Sequence, residues 1–183
     1  MMNKKFLFLP VVLMTILFSS CSDDDDVVDR LRTIDDIPVS VEETVSYLPI
    51  NVFDFPIETD VDLRGAIEDE LGTDEALDQV DEIELDNMAL ELVSADDQEN
   101  FDFIDSVTIS VRTNGLDIKQ VASLDNVPEG ATRIELNTTD DFVDEYAKSD
   151  DLKLIIQFTS TEDANNITVK MDMEFDAKLD PSL

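Results

Sequence analysis

Cys21 is the only thiol in the chain, histidine is absent, and 45 aspartates and glutamates stand against 12 lysines and arginines. That inventory narrows the chemistry. Histidine is the usual general base near neutral pH and the commonest neutral metal ligand, so serine-, cysteine- and zinc-dependent hydrolysis lack their normal parts. No serine sits in a G-x-S-x-G elbow, and neither glycine-rich phosphate-binding signature occurs. A serine and lysine pair is chemically conceivable, but no pattern marks one. Two carboxylates cleave a glycosidic bond when they stand about 5 to 10 Å apart. With so many acids any fold brings some pair to that spacing, so abundance does not identify a site. Sugar sites also favour aromatic platforms, whereas the chain has no Trp and its two tyrosines, Tyr47 and Tyr146, fall where core is expected. The phenylalanines beyond residue 20 mostly fall on inward strand positions and read as packing.

The acids raise the question of cations. Calcium needs several oxygens converging at about 2.4 Å, and the loop of regularly spaced acids around a central glycine is missing. Asp60 with Asp62, Asp96 with Asp97, Asp140 with Asp141, and Asp150 with Asp151 are loose candidates. The alternative is solubility in a salty medium, where screening over about 3 to 8 Å removes the self-repulsion. No cofactor is expected, with calcium the open alternative. The same charge argues against nucleic acid, because phosphate contacts need clustered lysine and arginine.

Cys21 has the most specific surroundings. Residues 1–20 have the three parts of an export signal: basic Lys4 and Lys5, an apolar run from Phe6 to Phe18, and small Ser19 and Ser20 before the cysteine. The run is about 13 residues long and interrupted by Pro10, whereas a spanning helix takes about 20 apolar residues. Leu17, Phe18, Ser19, Ser20 and Cys21 resemble the lipobox of bacterial lipoproteins, with Phe18 where leucine is usual. That resemblance implies cleavage before Cys21, which receives diacylglycerol, with fatty chains such as palmitate, and becomes the mature N-terminus. A conventional secretory signal with a chance cysteine is the other reading. Ser22, Asp23, Asp24, Asp25 and Asp26 follow at once, and the run resembles the surface-export signal of Bacteroidota lipoproteins. The resemblance implies an outer-membrane protein displayed on the cell surface; a solvated acidic spacer is the alternative.

Removing the first 20 of the 183 residues leaves 163, enough for one domain and a tether, and takes two bases and no acids. Ten bases then face 45 acids, a net charge of about −35, which repels an anionic lipid surface and leaves the acyl chains to hold the protein there. Like charges extend the chain, so residues 21–37 are expected as a lipidated acidic tether and 38–183 as a single domain.

Strand patterns fill that domain. Val39 and Val41, then Val45 and Tyr47 after a shift, predict a first strand, and Pro49 to Pro56 a short edge strand. Leu63 to Leu71 reads as a short helix closed by Gly72, with a turn from Thr73 to Leu77 after it. Ile83 and Leu85 alternate, then Met88, Leu90 and Leu92 do so after a change of phase that predicts a bulge at Asp86 and Asn87. Phe101 and Phe103 precede Val107, Ile109 and Val111, and Asn114–Gly115 predicts a tight hairpin with positive φ at both positions, its second strand running through Val121 to Leu124. A turn at Val127–Gly130, a strand over Arg133–Asn137 and a helical turn around Phe142, Val143, Tyr146 and Ala147, capped by Thr139 or Asp140, come next. Leu152, Leu154, Ile156 and Phe158 give a strand, and Ile167, Val169, Met171, Met173, Phe175, Ala177 and Leu179 the cleanest alternation of all.

About seven to nine short strands with one or two short helices predict a mainly β, antiparallel two-sheet sandwich. In layout, Phe101 to Leu179 resembles the Ig-like domains of small Bacteroidota surface lipoproteins. The function expected is a lipid-anchored, non-catalytic module, structural or bound to an unknown protein or glycan partner. A calcium-dependent adhesion or glycan-associated module is the alternative, and a carboxylate-dependent glycosidase a further one.

Overall fold

Alternation of apolar and polar residues builds the core strand of the molecule. In β9 (Ala164–Leu179) Ile167, Val169, Met171, Met173, Phe175 and Ala177 are buried, and the polar residues between them point out. The computed structural model describes residues 33–50, 56–72 and 77–179. Cys21 and Ser22 to Asp26 lie outside the described residues, as does the rest of 1–32.

The described residues form nine strands and two α-helices. β9 lies between β1 (Thr33–Leu48) and β3 (Val80–Ser94), and β6 (Arg133–Glu135) completes an antiparallel sheet in the order β1-β9-β3-β6. The second sheet, also antiparallel, runs β2 (Ile57–Asp60), β8 (Lys153–Ser160), β4 (Ile104–Arg112), β5 (Lys119–Leu124) and β7 (Asn137–Thr138). Side chains from both sheets, Met171 and Phe175 with Ile109 and Phe158 among them, share one hydrophobic core. The protein is therefore mainly β, a two-sheet antiparallel sandwich.

The sandwich has two unlike sides. β6 and β7 are one stretch of chain that changes sheet at Leu136, whose buried side chain and N–H, bonded to Met88 O at 2.9 Å, close that side. The other side is bordered by the edge strands β1 and β2, with helix α1 (Leu63–Leu71) beside them. α1 starts where the Asp62 carboxylate accepts the Gly65 N–H at 2.8 Å and stops at Gly72 in the left-handed conformation. Gly65 is required for that cap, since a Cβ there would stand 2.5 Å from an Asp62 oxygen.

Several expectations meet the structure differently. β1 starts at Thr33, upstream of the expected domain start at residue 38, because Ile37 is fully buried against the sheet and carries the pairing with it. Of the edge strand expected over Pro49–Pro56, residues 51–55 lie outside the described residues; the described strand is Ile57–Asp60, beginning after Pro56, which has no N–H to donate. Residues 73–76 of the expected turn are likewise outside them. The bulge at Asp86 is present, as a register shift between Leu85 and Asn87. The tight hairpin is not: only Gly115 has positive φ, and the connection runs from 113 to 118. The Asp151 carboxylate accepts both the Thr113 hydroxyl and the Asn114 N–H, the latter at 3.2 Å, and these long-range bonds set the loop instead. Helix α2 (Asp144–Ala147) has Val143 at its N-cap with no side-chain bond, so neither Thr139 nor Asp140 caps it. Tyr47 is 49% exposed rather than core, since it stands on an edge strand.

Candidate interaction surface

The acids singled out in the sequence are spread over the surface, and most have partners. Asp60 accepts from Lys153 Nζ at 2.8 Å, Asp62 caps α1, and Asp150 accepts from Arg64 at 3.0 Å. Asp96 accepts from Asn166 at 2.6 Å, and Asp97 is exposed beside it. Asp140 is exposed, while Asp141 stands 4.0 Å from Lys119 Nζ. Asp151 is held by Ser149, Thr113 and the Asn114 N–H, and those hydrogen bonds push its carboxyl below the ordinary value. Asp60, Asp62 and Asp150 border one hollow of about 360 Å³, so the fold brings one of the four pairs beside one member of another. Among the described residues no three acidic side chains converge closely enough to hold a metal ion.

Charges concentrate instead on the outer face of the β1-β9-β3-β6 sheet. Asp172 on β9 accepts from Lys170 at 2.8 Å, Ser40 on β1 at 2.9 Å and Arg133 on β6 at 3.0 Å. Arg133 must cross β3 to do so. Ala89, paired in register with both Asp172 and Glu135, offers only a methyl group in its path. The Lys170 hydrogen bond, opposed by partial burial and supplemented by Arg133 and Ser40, holds the Asp172 carboxyl at about 2. Arg133 also reaches Glu135 at 3.2 Å and Glu91 at 3.8 Å. The network ties all four strands of the sheet together.

At the end of the same sheet the balance reverses. Burial first, and then Asp176, Asp36, Glu174 and Asp35, push the Asp86 carboxyl up. Asp36 is turned into positive φ there, where its N–H donates to Asp176 at 3.0 Å. Asp86 is exposed on its strand, so its raised pKa, set by local desolvation and then by crowding of like charges, does not mark a cleft built for proton transfer.

The last feature is a groove of about 700 Å³ between β1, the end of β2 and α1. Val39 and Val41 of β1 form its apolar part; Glu42, Asp60, Asp62 and Asp69 stand around it. The sequence offered only part of this. Asp60 and Asp62 were visible as an acidic pair, but that they face an open strand edge follows from a pairing of β1 with β9 that no local pattern encodes. No family model matches the chain, and no curated protein matches it either.

Proposed function

We propose that the protein is a lipoprotein of the outer membrane, anchored by lipid on Cys21, displayed on the cell surface and non-catalytic, with a structural or partner-binding role. The observation that carries this reading is the order of residues around the sole thiol: basic start, apolar run, small residues, Cys21, then Ser22 and Asp23 to Asp26. Acylation moves the chain from solution to the bilayer, because each buried methylene contributes about 0.8 kcal/mol and more than one chain makes the anchor stable. A strongly acidic sandwich suits a stand-off module, since anionic lipid repels it. Its charged outer sheet face, closed on itself by the Asp172 network, supports a binding or structural role over a reactive one.

Protease treatment of intact cells tests display. The protein should be digested before lysis, while an internal control protein survives; resistance until lysis would contradict surface exposure. A second reading, a calcium-dependent adhesion or glycan-associated module, has in its favour the hollow that Asp60, Asp62 and Asp150 share.

A further inference from the structure

We propose that the outer edge of β1, from Val39 to Tyr47, docks an extended basic polypeptide segment that adds to the four-stranded sheet as a fifth strand. This deepens the partner-binding reading and rests on it. An edge strand keeps one row of backbone N–H and C=O groups that its neighbour cannot satisfy, and a long regular edge is a template for another chain. β1 pairs with β9 from Thr33 to Leu48, and among the described residues no backbone hydrogen bond reaches Val39–Tyr47 from the other side. The register is unbroken from Ile37 to Val45. Helix α1 flanks the start of this stretch across the groove, from Pro38 to Glu42, and the other devices that blunt an edge sit upstream: a register shift between Ile34 and Ile37, Asp36 at φ 59°, and Pro38.

The lining decides the occupant. Val39 and Val41 are partly buried, which offers apolar contact at alternate positions of an incoming strand. Acids surround them, and no lysine or arginine lines the groove. Asp60 is engaged by Lys153, but Glu42 and Asp69 have no ion-pair partner among the described residues. A second copy of the chain fits poorly. Each mature copy carries a net charge of about −35, and antiparallel pairing of two β1 edges would set Glu42 and Glu43 of one against those of the other. An acidic strand meets the same repulsion. A strand alternating lysine or arginine with small apolar residues gains backbone hydrogen bonds, apolar contact and opposite charge together.

The test uses the full lipidated protein in neutral detergent micelles and, as probe, a synthetic peptide of alternating Lys and Val. It is about 9 residues long, to match Val39–Tyr47 at ~3.4 Å per residue. Amide exchange at Val39–Tyr47 should slow at least about tenfold at saturating peptide, as expected of amides newly placed in a ladder. The same peptide with every backbone nitrogen methylated, and a Glu-Val peptide, should give no protection. Glu42→Lys combined with Asp69→Lys should weaken binding at least about tenfold, with exchange in β4 unchanged to show that the fold persists. Equal binding by the methylated peptide would reduce the effect to charge adhesion and overturn strand addition. Protection of Val39–Tyr47 that rises with protein concentration alone would assign the edge to a second copy and overturn it too. The mass of the N-terminal peptide from the same preparation reports Cys21 acylation independently: an unlipidated chain that still binds would defeat the anchoring reading and leave this one standing.

Discussion

Replacing Asp172 with asparagine should destabilise the fold at neutral pH by about 1 kcal/mol, and the penalty should fade in acid. The carboxyl is held at about 2, against an ordinary 3.8, chiefly by the Lys170 hydrogen bond. A displacement approaching two units corresponds to about 2.5 kcal/mol at ~1.4 kcal/mol per unit. Because 30% of the Asp172 side chain meets solvent, screening cuts that to about 1 kcal/mol. The sign follows from the direction of the shift. A carboxyl that ionises more readily in the folded state stabilises it above the unfolded pKa, and that contribution is lost as pH falls from about 4 to about 2. Urea unfolding of wild type and Asp172→Asn, at neutral pH and near pH ~3, reads both quantities. Adding Arg133→Met completes a double-mutant cycle, with a coupling of about 0.5 kcal/mol or more expected for the pair that spans β3. A difference of equal size at both pH values, or none at neutral pH, would refute the argument that the network fastens the sheet.

Three further outcomes follow from the charge map and the helix cap. Asp86→Asn should raise the melting temperature at neutral pH in low salt, because ionising Asp86, desolvated by the fold and set beside Asp176, Asp36 and Glu174, costs the folded state. The gain should shrink in molar sodium chloride and in acid; a lowered melting temperature would contradict it. Gly65→Ala, a change that ordinarily strengthens a helix by about 1 kcal/mol, should here weaken the protein by about 1 kcal/mol, since the new Cβ displaces the Asp62 cap. Denaturant midpoints decide between the two signs. Calcium should raise the melting temperature no more than sodium at equal ionic strength; a clear excess for calcium would favour the cation-dependent reading.

Much of the fold was written in local pattern. The alternation of β9, the phase change at Asp86 and the helix ending at Gly72 each depend on residues close in sequence, and each is present. What escaped depends on distance along the chain. The 113–118 loop is set by Asp151, and the pairing of β1 with β9 joins the two ends of the described chain. Tyr47 looked like core because its strand alternates, but an edge position leaves it half exposed. The candidate surface suffered most. Glu42 and Asp69 carry no motif, and they acquire meaning only when β1, β2 and α1 are brought side by side. Arg133 meets Asp172 only because Ala89 lies between their strands.

The anchored-module account is tested most directly by growing cells on an alkyne-bearing palmitate analogue and capturing the protein. Wild type should carry the label and stay with the membrane fraction, while Cys21→Ser should carry none and leave it. Equal labelling of both chains, or none of the wild type, would contradict the account.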